Sequence, residues 1–346
     1  MASSIWSRSP GQSGSAAVGC ALVNRRKFVQ TLALAGSAAC LPRRLAAAST
    51  GPAGLTKRVL QVEGRWANRA LLLVPEQARV RRSAPLLVLL HGLGETKNER
   101  LGLRAWDDLY GLSSAYDRLC APPVEPLAEG AGYMTQAKRD ALNATLTTRG
   151  FDAPIAICPY TPNPYVVMPR HRVLDEYAAW LVERLLPAVR AELGPSLAVT
   201  KTGLDGCSMG GYLALEAFLR RPQAFSTLGM VQGAIRKQNA VHYASKLEAA
   251  VAGRNPCPIH LSTSTEDPFL EPTNKLYYQL RQRGVASHLE TTPGPHNQVW
   301  LRQVGTIDML LWHAVALGDA TAAHTEPVLA PDARAQEQPR APEAAQ

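Results

Sequence analysis

A serine flanked by glycines lies where an apolar stretch gives way to a helical pattern. Residues 206–211 have the sequence Gly-Cys-Ser-Met-Gly-Gly. They follow the apolar residues 197–204 and run into a predicted helix that begins at Met209. A Gly-x-Ser-x-Gly motif between a strand and a helix forms a tight turn that strains the serine backbone. The turn projects the serine hydroxyl oxygen from the edge of the sheet. The pattern indicates that Ser208 is a nucleophile. The alternative is a glycine-rich turn that carries a solvated serine.

A general base and an acid follow Ser208 along the chain. A hydroxyl is a poor nucleophile near neutral pH unless a base accepts its proton and an acid orients that base. His296 follows the last predicted strand in a Pro/Gly loop, which favours it as the base, and Asp267 follows the strand before it. Two alternatives remain open. Glu266 is a rival acid, and Asp267 could instead cap the helix that starts near Phe269.

Another apolar run, residues 86–90, ends in His-Gly-Leu-Gly. A loop with His-Gly directly after an early strand supplies a backbone N–H donor for an oxyanion, and the residue after the nucleophile supplies a second one. We therefore expect the N–H groups of Leu93 and Met209 to form an oxyanion hole. Gly92 permits close approach of the backbone to a substrate, and we predict that His91 and Gly92 line the substrate site. The imidazole of His91 is predicted to be architectural, not a proton carrier.

Alternating patterns predict the elements that position these residues. Strands are predicted at residues 58–62, 70–74, 86–90, 153–158, 198–204, 227–231, 259–262 and 287–291. Helices are predicted at residues 173–193 (with a kink at Pro187), 209–219, 239–251, 271–283 and 299–316. Strands joined by helical crossovers form a mostly parallel sheet covered on both faces. We therefore predict an α/β fold with about eight strands and an antiparallel start, because the first two strands are close in sequence. His260 and His288 fall within strands and are expected to be core or surface residues.

The domain boundaries follow from composition. Hydrophobic residues make up 46% and charged residues 19% of the 346 residues, which is typical of a globular chain. Residues 49–318 are predicted to form one domain, in which residues 101–152 exceed a simple crossover and are predicted to form a lid or side wall. Residues 319–346 contain almost no large apolar residues, so this tail is predicted to be disordered. No apolar run is long enough to predict an integral membrane span.

The N-terminal residues 1–48 resemble an export signal. Arg25 and Arg26 precede an apolar stretch and a run of alanines that ends at Ala48, where we expect cleavage. Adjacent arginines followed by Phe28 resemble the twin-arginine signal, which predicts a periplasmic or secreted protein. A disordered basic tail is the alternative. A lipoprotein acceptor at Cys40 is a weaker alternative, because a serine occupies a position where an aliphatic residue is expected.

Charge argues against a nucleic-acid partner. The chain has 37 basic and 28 acidic residues, but six of the basic and none of the acidic ones lie in residues 1–48, so the remainder carries only +3. Four cysteines follow this region, Cys120, Cys158, Cys207 and Cys257. Their spacing does not match a zinc site, and no metal or cofactor is predicted. Each is expected to be free, with a Cys120–Cys158 disulfide as the alternative.

Residues 58–317 resemble the serine esterases of the α/β-hydrolase superfamily, and more narrowly the esterase D, feruloyl esterase and antigen 85 group. The resemblance is carried by the motifs at residues 91–94, 206–211 and 294–296, together with Asp267 and Trp300. It departs from the family at Pro295, where a second glycine is common. Met209 suits the esterase D group, whereas the acyl-thioesterase branch usually has Gln there. The resemblance implies an α/β-hydrolase fold and an esterase without a cofactor.

Motifs and resemblance together predict an exported hydrolase that cleaves a small-molecule or carbohydrate-linked ester through an acyl-enzyme on Ser208. Two alternatives remain open: an acyltransferase on the same scaffold, and a catalytically silent binding module. The oligomeric state is not predicted.

Overall fold

A computed structural model describes residues 51–254 and 256–318 of the chain. The predicted export signal at residues 1–48 and the predicted disordered tail at residues 319–346 lie outside these described residues.

One sheet organises the described residues. Its eight strands lie in the order β1-β2-β4-β3-β5-β6-β7-β8. The strands are β1 Thr56–Gln61, β2 Arg69–Val74, β3 Ser83–Leu90, β4 Ile155–Pro159, β5 Ala198–Gly206, β6 Thr227–Val231, β7 Ile259–Glu266 and β8 Ser287–Pro295. Strand β2 pairs antiparallel with both β1 and β4, and the other pairs are parallel. The predicted α/β class, strand number and antiparallel start are confirmed.

Helices connect the parallel strands. They are α1 Glu76–Arg81, α2 Glu99–Arg104, α3 Leu112–Cys120, α4 Gln136–Arg149, α5 Arg170–Trp180, α6 Leu186–Leu193, α7 Met209–Arg220, α8 Ala240–Val251, α9 Leu270–Gln282, α10 Gln298–Trp300 and α11 Thr306–Leu317. Wider π-helical turns occupy Ala105–Leu109, Leu181–Leu185 and Leu301–Gly305, and single 3₁₀ turns occupy Ala131–Tyr133, Pro222–Ala224 and Lys237–Asn239.

The helix predicted over residues 173–193 is interrupted before Pro187, not at it. The π-helical turn Leu181–Leu185 separates α5 from α6, and Pro187 lies in the first turn of α6. Proline has no N–H to donate to the carbonyl one turn earlier, and a local widening accommodates the freed carbonyl. The predicted irregularity is thus present but lies a few residues earlier.

The two faces of the sheet support separate hydrophobic cores, because successive strand residues point to opposite faces. In β3, Leu86, Val88 and Leu90 pack into one cluster with residues of α5–α8, whereas Leu87 and Leu89 pack into a second cluster. The second cluster includes residues of α2–α4 and α11. Residues 101–152 therefore cover one sheet face. Their role as a lid or side wall stays a prediction.

A buried charge network anchors helix α4 to that face. Lys138 forms ion pairs with Asp308 of α11 and, at 3.1 Å, with Glu290 of β8. Burial lowers the pKa of Lys138, but the two carboxylates outweigh this effect and raise it. His260 Nε2 lies 3.0 Å from Asp308 Oδ2, and the rings of His260 and His288 stack with their centroids 5.7 Å apart. His260 is a core residue, as predicted, and His288 is half-buried beside it.

Cysteines do not cross-link this part of the chain. Cys120, Cys158, Cys207 and Cys257 are all free in the described residues, so the alternative Cys120–Cys158 disulfide is not formed. Burial raises the pKa of the Cys207 thiol well above its usual value and that of Cys257 to about 11. These thiols are therefore protonated at neutral pH.

Candidate active site

The turn between β5 and α7 holds Ser208 in a backbone conformation that few residues adopt. Its φ is 53° and its ψ is −118°, the left-handed side of conformational space. The Ser208 N–H donates to the Val231 carbonyl at 2.9 Å, and the Gly210 N–H donates to the Cys207 carbonyl at 2.7 Å. These hydrogen bonds fix the strained turn.

The flanking glycines are required because the turn is crowded. A Cβ atom on Gly210 would lie 2.1 Å from the Leu90 carbonyl oxygen, and one on Gly206 would lie 2.4 Å from the Gly210 backbone. Real Cβ atoms do not approach a backbone so closely. Only glycine allows β3, β5 and α7 to meet at the serine.

His296 and Asp267 lie in line with Ser208. His296 follows directly on β8, and its Nε2 lies 3.0 Å from Ser208 Oγ. Its Nδ1 lies 2.9 Å from Asp267 Oδ1. A carboxylate can only accept, so Nδ1 carries the proton and Nε2 is free to accept the serine hydroxyl proton. The structure thus brings together the three residues that the sequence predicted would act together.

Asp267, not Glu266, contacts the histidine. The Asp267 side chain is fully buried, whereas Glu266 is exposed at the end of β7. Thr263 Oγ1 donates to Asp267 Oδ2 at 2.6 Å, and the Phe269 N–H donates to Asp267 Oδ1 at 3.0 Å. Asp267 therefore holds the turn before α9 and orients His296 simultaneously, whereas α9 itself, which begins at Leu270, has no side-chain cap.

The segment after β3 lies beside the nucleophile turn. Leu90 pairs with Gly206 across β3 and β5, and the Cys207 N–H donates to the Leu90 carbonyl at 3.1 Å. This register places the predicted oxyanion donors, Leu93 in the loop after β3 and Met209 at the start of α7, at the carboxyl edge of the sheet. No acceptor within the described residues is paired with the N–H of Leu93 or Met209.

His91, predicted to line the substrate site, has no exposed surface in the structure. Its ring is completely buried: Nδ1 donates to the Gly92 carbonyl at 2.9 Å, and Nε2 accepts from the Thr161 N–H at 2.9 Å. Burial lowers the pKa of His91 to about 4, so the ring is neutral at pH 7. Both nitrogens are occupied, and the imidazole is architectural. Gly92 is buried with it.

Three side chains near the predicted oxyanion loop were not identified from sequence. Tyr110 Oη accepts from the Gly92 N–H at 3.2 Å and donates to Glu95 Oε2 at 2.7 Å. Gln298 Nε2 lies 3.4 Å from the other Glu95 oxygen. The buried Glu95 therefore connects the loop after β3 to the turn that follows His296. Glu95 adjoins the His-Gly motif, but nothing in the sequence points to its partners.

Two further tests apply to the described residues. In this part of the chain, no group of three or more His, Cys, Asp or Glu side chains could hold a metal ion. None of the helices described here is long and apolar enough to cross a bilayer.

Comparisons with known proteins agree with this fold. Residues 161–310 match the family described as "Putative esterase". A ferulic acid esterase structure superposes with a TM-score of 0.51 at 14% identity, covering 75% of this chain and 98% of its own. An S-formylglutathione hydrolase from Staphylococcus aureus has a TM-score of 0.50 at 13% identity, covering 78% of this chain and 99% of its own.

A fluorophosphonate-binding serine hydrolase from Staphylococcus aureus, with substrate bound, superposes with a TM-score of 0.51 at 14% identity, covering 77% of this chain and 99% of its own. No curated protein sequence matches the chain. At these identities the solved structures establish the fold. With the α/β-hydrolase fold in place and residues 161–310 matching that family, the chain resembles the esterase D and feruloyl esterase group of the α/β-hydrolase superfamily.

Proposed function

We propose that this protein is an exported serine hydrolase that cleaves carboxylic esters through an acyl-enzyme on Ser208. One observation carries the proposal: the continuous hydrogen-bonded line from Ser208 through His296 to Asp267, with contacts of 3.0 and 2.9 Å. A nucleophilic serine requires this arrangement, because the histidine accepts the hydroxyl proton and the aspartate orients the histidine.

The chemistry follows from the positions of these atoms. Ser208 Oγ attacks the acyl carbon as His296 Nε2 takes its proton, and the negative charge moves to the former carbonyl oxygen. The N–H groups of Leu93 and Met209 would stabilise that oxyanion. Removal of one comparable donor raises the free energy of the transition state by about 3 kcal/mol, which sets the scale of the effect. The tetrahedral intermediate collapses, the alcohol leaves with the proton from His296, and an ester remains on Ser208.

A second half-reaction releases the acid. Water attacks the acyl-enzyme as His296 accepts one of its protons, and Ser208 recovers that proton when the new acid leaves. Asp267 accepts the hydrogen bond from His296 Nδ1 and stabilises the imidazolium that forms twice per cycle. An acyltransferase would differ only in using an alcohol in place of water, so product analysis distinguishes the two activities.

The test is a screen of p-nitrophenyl esters of increasing acyl length, combined with fluorophosphonate labelling. We expect hydrolysis of at least one ester, loss of activity on labelling, and the label on the tryptic peptide that contains Ser208. Free acid as the main product, with or without an added alcohol, supports a hydrolase. An acyl ester as the main product when alcohol is added would indicate a transferase. Label on another residue, or no turnover of any ester, would contradict the proposal.

Export is a separate part of the proposal and rests on the sequence of residues 1–48. Replacing Arg25 and Arg26 together by lysine is expected to retain the precursor in the cytoplasm, because twin-arginine signals depend on both arginines. Cell fractionation measures this retention, and N-terminal sequencing of the exported parent should find a start near Ser49. Unchanged export of the double-lysine variant would rule out the twin-arginine assignment.

A further inference from the structure

The segment that follows β4 forms one wall beside the candidate active site. Its second residue, Thr161, is bonded to the loop after β3, because His91 N–H donates to Thr161 Oγ1 at 3.0 Å and Thr161 N–H donates to His91 Nε2 at 2.9 Å. Further along, the Tyr165 ring stacks on Tyr212 of α7, with centroids 6.2 Å apart and planes inclined by 15°. The segment is thus attached both to the predicted oxyanion loop and to the nucleophile helix.

Tyr212 belongs to the first turn after the nucleophile. Its N–H donates to the Ser208 carbonyl at 3.2 Å. Side chains on a helix tilt toward its N-terminus, so the Tyr212 ring is directed toward the end of α7 that carries Ser208. The same Ser208 carbonyl accepts from the Ala234 N–H at 2.9 Å, which places the segment leading to Arg236 against the nucleophile turn.

Two arginines border the stacked tyrosines. Arg170, the first residue of α5, has its guanidinium carbon 5.1 Å from the Tyr165 ring centroid. Burial raises the pKa of Tyr165, and the charges of Arg170 and Arg236 oppose that rise. Arg236 follows Ala234 by two residues, and the Ala234 N–H donates to the Ser208 carbonyl, so Arg236 lies on the segment that borders the nucleophile turn. We call Tyr165, Tyr212, Arg170 and Arg236 the tyrosine–arginine wall.

The positive charge of this wall is not neutralised within the described residues. Neither Arg170 nor Arg236 forms an ion pair there, whereas the basic residues close to them in sequence do. Arg172 lies 2.9 Å from Glu176, and Lys237 is paired with Glu271. Glu216, the carboxylate that acts on Tyr212, is itself engaged by Arg220 and by Tyr243.

We propose that the tyrosine–arginine wall binds a carboxylate carried by the substrate, so that the preferred esters are anionic. A guanidinium offers paired donors that match a carboxylate, and the aromatic faces accommodate the apolar chain between that carboxylate and the ester. This inference rests on the proposed ester hydrolysis, whose substrate class it specifies.

Matched esters test the inference through kinetics. Mono-p-nitrophenyl glutarate carries a free carboxylate, and its methyl ester is a neutral analogue of nearly the same shape. The parent is expected to show a higher kcat/KM on the anionic ester, with the preference reduced by salt. The double variant Arg170→Gln with Arg236→Gln should lose about tenfold in kcat/KM on the anionic ester, mainly through KM, and stay within about threefold on the neutral one.

The control variant is Arg172→Gln, which removes a neighbouring but already paired arginine on the same helix. It should leave the ratio between the two esters unchanged. Equal losses on both esters in the double variant would show a structural role for the arginines, and no loss on either ester would show no role. Either outcome overturns the inference.

Measuring ligand binding tests the carboxylate-binding wall even if the protein turns over no ester. Calorimetric titration of Ser208→Ala should detect monomethyl glutarate binding about tenfold more tightly than neutral dimethyl glutarate, and this difference should disappear when both arginines are also replaced. Absence of turnover in the parent would overturn the proposed function alone. Equal binding of the two glutarates would overturn the carboxylate-binding wall alone.

Discussion

Replacing Ser208 by alanine is expected to lower kcat for ester hydrolysis at least about a thousandfold, because only the oxyanion donors and substrate binding remain to act. The serine oxygen is the atom that receives the acyl group, and His296 Nε2 lies 3.0 Å from it. Alanine keeps the backbone conformation available to serine and leaves the bonds to the Val231 and Cys207 carbonyls in place. The variant should therefore fold and bind substrate as the parent does.

Steady-state kinetics on one short-chain p-nitrophenyl ester, with thermal unfolding followed by circular dichroism, measures both halves of this expectation. Ser196→Ala is the matched control, because Ser196 is an exposed serine in the turn between α6 and β5, at the opposite end of β5 from Ser208. It should retain full activity. A Ser208→Ala variant that keeps most of its turnover with an unaltered melting transition would place the nucleophile elsewhere.

The parts of the site that sequence predicts are those encoded by short-range patterns. Gly206 and Gly210 flank Ser208 because any larger residue would collide with backbone within the same turn, so the constraint is visible in six consecutive residues. His296 and Asp267 could be placed because parallel strands bring their carboxyl ends to one edge. The α/β class and the mostly parallel sheet then follow from the alternating strand and helix patterns.

The parts that sequence does not predict depend on contacts between distant segments. Glu95 and Gln298 meet across 203 positions of the chain, and Tyr165 and Tyr212 stack from different elements. A local pattern cannot report such pairs, because the fold alone sets their distance. The same limit explains His91: its motif marks the loop correctly, but only the packed structure shows that Thr161 and Gly92 occupy both ring nitrogens.

The second large effect is expected at Asp267. Its carboxylate accepts hydrogen bonds from Thr263 Oγ1, from the Phe269 N–H and from His296 Nδ1. Asparagine has one acceptor oxygen and one donor group, so the three bonds cannot all be kept as they are. Thr263 can rotate its hydroxyl to accept from the new amide, which preserves the local packing. The charge opposite His296 is lost in either orientation of that amide.

Asp267→Asn should therefore lower kcat by about 10⁴ with little change in KM, because the imidazolium formed during attack loses its counter-charge and its preferred tautomer is no longer enforced. Glu266→Gln is the matched control, one residue earlier, exposed, and equally changed from carboxylate to amide. It should stay within about threefold of the parent, as a surface substitution does. Steady-state kinetics of both variants on the same ester, with circular dichroism to confirm folding, compares the effect of removing the carboxylate that contacts His296 with the effect of removing the neighbouring exposed carboxylate. If Glu266→Gln instead lost activity and Asp267→Asn did not, the 2.9 Å contact at His296 Nδ1 would not be the one that supports the general base.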